Sequence, residues 1–235
     1  MSNRSDGRLP DQLRKINVIR DFQKNPLASV LIACGNTRVI CSVSLENKVP
    51  GWMKNKDVLG GWLTAEYSML PSATHSRIRR EVKRGKESGR TMEIQRLIGR
   101  SLRAALDLEK LGPITLNIDC DVIDADGGTR CASITGACIA LEMAVERLMA
   151  DGTLTVNPFR ERIAAVSVGI VDGRPLLDLC YVEDSAAEVD MNVIMTESGK
   201  FVEIQGTAEG QTFSFDELSA MTRLAASGIN ELFKV

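Results

Sequence analysis

The sequence predicts an α+β fold made of two similar halves packed together, at about residues 14–111 and 113–235. Two observations lead to this prediction. Pairs of strand-like segments followed by a helix-like segment occur twice along the chain. The chain has 235 residues, 44% of them hydrophobic, which is enough for one large domain with a sizeable core. We therefore expect a single domain over 1–235 with an internal structural repeat.

In the first half, the pattern predicts a hairpin, a loop, a short strand and a helix. Apolar and β-branched runs within 28–46 flank a Gly-Asn-Thr turn, which is typical of a hairpin. Residues 48–61 carry glycine, proline and lysine and are predicted to form a loop, followed by an extended segment at 62–67. Apolar residues recur at helical spacing over 91–111, so we expect a helix there, ended by Gly112.

The second half is predicted to repeat this order with more strands. The predicted elements are a strand at 114–121, a helix at 129–149, hairpins at 164–181 and 191–205, and a closing helix at 216–232. Small residues near the start of the helix at 129–149 favour close packing against a sheet. The pair Asp172 and Gly173 favours a type I′ turn, which indicates a tight hairpin at that point.

Positive charge is concentrated in residues 77–103, in a chain whose formal net charge is −2. This stretch contains ten basic and three acidic residues, a local net charge of +7. Such asymmetry favours a polyanionic partner, and the arginines that predominate in it suit phosphate oxygens. A solvated basic loop and helix face explains the charge equally well. Within the predicted helix, Arg96, Arg100 and Arg103 are four and three residues apart and therefore lie along one face.

Composition disfavours several other classes of protein. No apolar run approaches the roughly 18 to 20 residues that cross a bilayer, and the polar residues 1–8 do not look like a secretory signal. None of the six cysteines forms a C-x-x-C pair, so we expect neither disulfides nor a zinc site. Buried, reduced thiols in a cytoplasmic protein are the better interpretation.

The glycine-containing segment 126–130 is predicted to join a strand to the start of a helix. Its two glycines permit a tight turn, and the free N–H groups of a helix's first turn form an anion site together with the helix dipole. Thr129 can donate a hydrogen bond and Arg130 adds a positive charge. Taken alone, a plain turn into a helix is the simpler interpretation. The segment is not a Walker A loop, because the chain contains no G-x-x-x-x-G-K-[ST].

An acidic segment, 183–190, lies between two predicted strands. Its carboxylates Asp184 and Asp190 can converge on one hard cation such as Mg²⁺, or one of them can act as a general acid or base. A solvated acidic loop is an equally good interpretation. His75 is the only histidine, which excludes any site that needs two, and no G-x-S-x-G elbow supports Ser-His-Asp chemistry.

Taken together, these segments resemble the ribonuclease PH family of phosphate-dependent 3′ exoribonucleases, which trim transfer RNA precursors. The resemblance covers nearly the whole chain, in order. It rests on segments 35–44, 60–71, 89–104, 119–130, 132–137, 164–171, 181–197 and 202–210. The chain is also similar, more distantly, to the core halves of polynucleotide phosphorylase and to the ring subunits of the exosome.

The resemblance implies a duplicated α+β unit of the ribosomal S5 domain 2 type, assembled as a homo-oligomeric ring, usually a hexamer built as a trimer of dimers. It implies these site residues: a phosphate site at Arg90, Gly128, Thr129 and Arg130, a catalytic and metal-binding pair at Asp184 and Asp190 with Mg²⁺ or Mn²⁺, and RNA contacts at Arg77 and Arg80. Arg96 and Arg100 would follow the RNA backbone or, with Arg103, form ion pairs across a subunit interface. Ser72 and Cys131 depart from the family, which often has arginine and threonine there.

The reaction implied is attack of inorganic phosphate on the last phosphodiester bond of an RNA, such as a transfer RNA precursor or ribosomal RNA. The products would be a nucleoside diphosphate and an RNA shorter by one nucleotide, and the reverse reaction would also run. Two alternatives remain at this point: a non-catalytic RNA-binding ring subunit, and a metal-dependent hydrolase that uses the same acids with water. The retained phosphate and acidic residues disfavour the first, and the doubled phosphate-binding elements disfavour the second.

Overall fold

The computed structural model describes residues 4–210 and 212–235, with the backbone alone for residues 82 and 84. The strands are β1 (Ile16–Arg20), β2 (Ala28–Cys34), β3 (Thr37–Glu46), β4 (Trp62–Met69), β5 (Thr115–Asp124), β6 (Ile163–Val171), β7 (Arg174–Leu177), β8 (Val189–Thr196) and β9 (Phe201–Ala208). The helices are α1 (Gly51–Asn55), α2 (Gly89–Ala105), α3 (Thr129–Ala150), α4 (Tyr181–Asp184) and α5 (Phe215–Leu232). The predicted α+β class is confirmed.

The elements form four layers in the order sheet, helices, sheet, helix. The first sheet has the strand order β1-β2-β3-β5-β4, with β4 parallel to β5 and the other pairs antiparallel. The second sheet is antiparallel, with the order β7-β6-β8-β9. Helix α3 lies between the sheets beside α2, and α5 covers the far face of the second sheet. Because that sheet is covered on both faces, β6 is buried almost throughout.

Most predicted elements of the first half are present. The hairpin at 28–46 is β2 and β3, and the extended segment at 62–67 is β4. Strand β1 was missed, and the predicted loop at 48–61 contains the short helix α1. The first difference arises because β1 is an edge strand that pairs only with β2, so its formation depends on that neighbour.

The predicted helix at 91–111 was too long, because α2 ends at Ala105. Leu106 takes an extended backbone conformation and forms an isolated bridge with Phe159, which buries its side chain. This tertiary contact therefore ends the helix before the chain reaches Gly112, the helix-breaking residue in the sequence. Gly112, the predicted end, follows only a short 3₁₀ turn at Leu108–Leu111.

In the second half, the turn at Asp172 and Gly173 has the two positive φ angles of a type I′ hairpin, 51° and 68°. The return strand predicted to reach residue 181 ends at Leu177, which corrects the prediction. Asp178 takes a φ of 54° that turns the chain out of the sheet, and Tyr181 begins α4. The halves predicted at 14–111 and 113–235 stay a prediction. Strand β5, which follows residue 113, hydrogen-bonds in the first sheet, so the sheets divide between β5 and β6.

The predicted burial of the cysteines is confirmed, since all six are buried, and each is a free thiol. In the described part of the chain, no helix is long and apolar enough to cross a membrane. Part of the polar N-terminal segment, residues 1–3, lies outside the described residues, as does the side chain of Arg84 in the basic stretch.

Helix α3 approaches the first sheet closely at Gly136. A Cβ at this position would lie 2.7 Å from Cγ2 of Ile32 and 2.9 Å from Sγ of Cys41, both of which are buried strand residues. The helix can therefore pack directly on β2 and β3 only because this side chain is absent.

We expect Gly136→Ala to destabilise the fold by about 1–3 kcal/mol through overpacking, although alanine is normally about 1 kcal/mol better than glycine inside a helix. Gly99→Ala in α2 is the matched control, because its nearest neighbour is the flexible end of Arg103 at 3.0 Å. Urea unfolding at one protein concentration measures both. Equal stability of the two variants would contradict the packing argument.

Candidate active site

A cavity of about 450 Å³ opens between the start of α3, the short helix α4 and strand β8. It brings together six residues that the sequence assigned to phosphate binding and catalysis: Arg90, Gly128, Thr129, Arg130, Asp184 and Asp190. These residues come from three helices, a loop and a strand. The remaining lining residues include Met69, Thr74, His75, Ser76, Ile78, Ser167, Tyr181 and Asn192.

The glycine loop presents the start of α3 to this cavity. Gly127 and Gly128 have φ angles of 75° and 65°, in the left-handed region that glycine tolerates. A Cβ on Gly127 would lie 2.5 Å from the carbonyl oxygen of Leu179. The loop therefore also needs glycine at this position to pass beside the segment that follows β7. The N–H groups of the first turn of α3 have no intrahelical partners and carry the positive end of the helix dipole.

Side-chain hydrogen bonds hold this loop from two sides. The Thr37 hydroxyl accepts from the Asp126 N–H at 2.9 Å and donates to the Gly127 carbonyl at 2.7 Å. The Asp126 carboxylate accepts from the Asn36 amide and from the Tyr181 N–H, each at 3.1 Å. The first contact links the loop to the β2–β3 turn, and the second links it to the start of α4.

A buried ion pair lies directly beneath the loop. The Arg14 guanidinium donates to both carboxylate oxygens of Asp178, at 3.0 and 2.6 Å, and to the Asp126 carbonyl at 2.5 Å. Burial alone would raise the pKa of Asp178, but the hydrogen bonds and charge of Arg14 outweigh it and lower that pKa. The pair therefore stays ionised and ties the N-terminal segment, the glycine loop and the chain after β7 together.

A second buried pair positions α4. Arg4 donates to both oxygens of Glu183, at 2.7 and 2.6 Å, and also to the Leu177 carbonyl at 2.7 Å. Glu183 in turn accepts from the Cys180 N–H at 3.1 Å. The helix that carries Asp184 is thus held by the N-terminal segment of the chain.

The phosphate-site side chains are oriented by neighbours. The Thr129 and Tyr67 hydroxyls hydrogen-bond at 2.9 Å in a buried contact. Arg130 donates to the Gln205 side chain at 3.3 Å and lies 3.5 Å from a Glu93 carboxylate oxygen. Arg90, in the first turn of α2, is exposed. Two arginines therefore reach the cavity from different helices.

The two carboxylates oppose this positive charge. Burial, then the charge of Asp184, raise the pKa of Asp190 to about 6, while Arg130 and Arg90 partly offset the shift. Burial also raises the pKa of Asp184. No described residue forms an ion pair within 4.0 Å of either carboxylate, so both lack a close counter-charge.

The predicted RNA-contacting arginines lie outside this cavity. Arg77 and Arg80 line a depression of about 400 Å³ together with Arg79 and Lys83. Arg80 also lines a larger groove of about 910 Å³ that shares Met69, Ile78 and Arg90 with the cavity. The groove thus leads from the basic stretch to the candidate site.

Three arginines along α2, Arg96, Arg100 and Arg103, have different surroundings. Arg100 donates to both oxygens of Glu203, at 2.7 and 2.6 Å, and Arg96 is exposed. Arg103 lies over the Trp62 ring, 4.8 Å from its centroid. The roles predicted for Arg96 and Arg100 stay predictions.

Sequence reasoning missed the two buried ion pairs. Asp178 interrupts an apolar run, which is a detectable pattern because a buried carboxylate needs a partner. Its partner Arg14 is 164 residues away along the chain, so periodicity and spacing do not identify it.

Comparison with known proteins gives a consistent result. Residues 12–145 match the model for domain 1 of the RNase PH 3′ exoribonuclease family, and residues 161–228 match domain 2. Two proteins named ribonuclease PH, from serogroup C and serogroup A strains of Neisseria meningitidis, are each 57% identical over 227 residues, covering 97% of this chain and 93% of theirs.

Two solved structures share the fold. Rice Rrp46 aligns with a TM-score of 0.77 at 18% identity, covering 98% of this chain and 97% of the rice chain. The Archaeoglobus fulgidus exosome with RNA bound to the active site aligns with a TM-score of 0.82 at 21% identity, covering 99% of this chain and 92% of that one.

We expect Asp178→Ala to lower the free energy of unfolding by about 3–5 kcal/mol, because it leaves the Arg14 charge buried without its partner. Replacing both residues, as in Arg14→Met with Asp178→Leu, should cost less than the single change. Asp11→Ala, at an exposed carboxylate, is the control. Urea unfolding measures the free energy of unfolding of all three variants. A double variant less stable than Asp178→Ala would contradict the ion-pair account.

We expect Asp190→Asn to stabilise the metal-free protein at pH 7.5. The pKa of Asp190 is about 6 in the folded protein against an ordinary 3.8, so ionisation opposes folding fully above pH 6 and not at all below 3.8. The gain should be about 1–3 kcal/mol at pH 7.5 and should shrink toward pH 4. Urea unfolding in EDTA across this range measures it. A gain independent of pH would show that the carboxylate charge is not its cause.

Proposed function

The chain belongs to the RNase PH family of 3′ exoribonucleases, and on that premise we propose how its cavity residues divide the work of phosphorolysis. The enzyme trims RNA from the 3′ end with phosphate in place of water. One observation carries the assignment of roles. Arg90, Arg130 and the first turn of α3, which we call the cationic cradle, line the same cavity as the acidic pair, Asp184 and Asp190. We propose transfer RNA precursors as its substrate, as the resemblance implies.

The cationic cradle would hold the attacking phosphate. Arg90 and Arg130 supply charge, the first turn of α3 supplies N–H donors, and Thr129 supplies a hydroxyl already oriented by Tyr67. Phosphate and the RNA phosphodiester are both anions, so the first requirement of the site is to offset their repulsion. Donors fixed in place before the substrates arrive do this without reorganisation.

The acidic pair fits a divalent cation. Asp184 and Asp190 line the same cavity, and the charge of one raises the pKa of the other. Two half-buried carboxylates with no ion-pair partner among the described residues favour either a shared proton or a hard cation such as Mg²⁺ or Mn²⁺, which would screen the scissile phosphate. Oxygen ligands from Asp184 and Asp190 are the type these ions prefer. This supports the predicted metal site.

In the reaction, an oxygen of the phosphate attacks the phosphorus of the last phosphodiester bond, and the bond to the 3′ oxygen breaks. The released nucleotide leaves as a diphosphate, and the shortened RNA takes up a proton on its new 3′ hydroxyl. Arg90 and Arg130 would hold the attacking group in line. Asp190, with a pKa of about 6, can hold a proton near neutral pH, and Asp184 stays an alternative for this role. Because a phosphoanhydride forms as the ester breaks, the reverse reaction is expected.

The RNA would follow the groove that leads from the basic stretch to the cavity. Arg80 lines that groove and Arg77 the adjoining depression, so both are proposed backbone contacts without sequence preference. Arg96 is exposed and available for the same purpose. Arg100 is held by Glu203 within the chain, which leaves either an RNA contact or a subunit contact for its exposed part.

We propose a homo-oligomeric ring, a hexamer, located in the cytoplasm. Support for assembly is the family resemblance, which implies a ring, together with the exposed apolar residues Trp52, Val58 and Leu59, of which Leu59 is 81% exposed. Support for the location is the set of six free cysteines.

The residues that line the cavity disfavour the two alternative functions, a non-catalytic ring subunit and a metal-dependent hydrolase. A non-catalytic ring subunit has no need of two carboxylates held at a raised pKa beside two arginines. A hydrolase that uses water has no need of a binding site for free phosphate at the start of α3. Both arguments rest on the presence of two arginines and two carboxylates in the same cavity.

Incubation of a short labelled RNA with Mg²⁺, with and without phosphate, tests the function. We expect nucleoside diphosphates only when phosphate is present. Arg90→Ala should lose at least about 100-fold in phosphate-dependent release while it keeps RNA binding, because one oxyanion-type donor is worth about 10²–10³. Arg174→Ala, at an arginine on β7, is the control. Monophosphates without phosphate would indicate hydrolysis, and normal turnover by Arg90→Ala would remove it from the phosphate site.

A further inference from the structure

Asn192 is a buried polar residue of the cavity to which no role has yet been assigned. It lies on β8 two residues after Asp190, and side chains two apart on a strand point to the same face, roughly 6.6 Å apart. Only 7% of Asn192 is exposed, yet it lines the cavity. Asp190 is less buried, so Asn192 lies deeper in the same site.

In the described part of the chain, one side of the Asn192 amide has a hydrogen-bond partner and the other side does not. Its Oδ1 accepts from Sγ of Cys131 at 3.2 Å. Among the described residues, Nδ2 has no hydrogen-bond acceptor, and it is not enclosed by protein. An amide nitrogen carries two donors, and buried donors nearly always have acceptors. These donors therefore face the cavity and are available to a ligand.

The position of Cys131 indicates which ligand the two Nδ2 donors of Asn192 would contact. Cys131 is the third residue of α3, so its side-chain contact places Asn192 beside the free N–H groups of that helix's first turn. The neighbouring strand positions are Ser167 on β6 and Gln205 on β9, and Gln205 accepts from Arg130. Donors from the helix, from Arg130 and from Asn192 thus surround one volume.

We propose that Asn192 is a ligand of the attacking phosphate, to which Nδ2 donates, and that Cys131 is a positioning residue that orients the amide through Oδ1. The inference rests on the proposed function, because it assigns the anion at the start of α3 as the phosphate. A neutral donor suits this place: a lysine or arginine would form an ion pair with Asp190 and neutralise it. The reverse amide orientation would aim Oδ1 at the anion and is disfavoured when phosphate is bound.

The proposal predicts a specific kinetic pattern. Asn192→Asp keeps the shape but turns a donor into an anion, and Asn192→Leu removes the donor without adding charge. We expect the KM for phosphate to rise about 10- to 100-fold in Asn192→Leu and further in Asn192→Asp, with the KM for RNA within about twofold of wild type. Asn17→Asp, at an exposed asparagine on β1, is the matched charge control and should change neither.

Cys131 supplies a second, independent test. Cys131→Ser keeps a donor toward Oδ1 and should keep the KM for phosphate close to that of wild type, whereas Cys131→Ala should raise it. A residue that only fills space would give the same result for both. The rise in unfolding temperature that inorganic phosphate causes without RNA is the second readout, and it should be smaller in Asn192→Asp than in wild type.

The outcomes separate this inference from the function itself. A phosphate-dependent wild type with an unchanged KM for phosphate in both Asn192 variants would overturn the inference alone. An equal rise in the KM for RNA would also overturn it, because the amide would then contact the RNA. A wild type that releases nucleotides without phosphate would overturn the function and the inference together.

Discussion

The site depends on one buried ion pair, that of Arg14 and Asp178. Both groups are buried, and a charge of either sign without its partner would cost several kcal/mol there. The pair joins three segments that are far apart in the chain, and Arg14 also donates to the backbone of the glycine loop at Asp126. The conformation of that loop, and hence the direction of the first turn of α3, follows from this contact.

The cavity sets positive and negative groups against each other without letting them neutralise. Arg130 donates to Gln205 and lies near Glu93, and Arg90 is exposed. Among the described residues, neither arginine forms an ion pair with Asp184 or Asp190. The cradle therefore stays available to an anion, and the carboxylates stay available to a cation or a proton. The raised pKa of Asp190 is the consequence of keeping two carboxylates half-buried and close together.

Helix α3 links the core of the protein to this chemistry. Its middle is fixed between the two sheets by a contact that only glycine permits, at Gly136, and its start forms the cradle. Strand β8, which carries Asp190, belongs to a sheet covered on both faces by helices. Rigid elements on either side thus hold donors and carboxylates in a fixed relation, which is what a reaction governed by positioning requires.

The amino-acid sequence by itself determined the order of most strands and helices, because alternation, helical periodicity and turn residues such as Asp172 and Gly173 are local properties. It also indicated the segment 126–130 and the acidic pair through their residue types, and Arg90 through family resemblance. Tertiary structure alone decided the end of α2 at Leu106, the partnership of Arg14 with Asp178 and the contact of Cys131 with Asn192. Each of these joins residues distant in the chain, and no local periodicity records which distant groups meet when the sheets and helices pack.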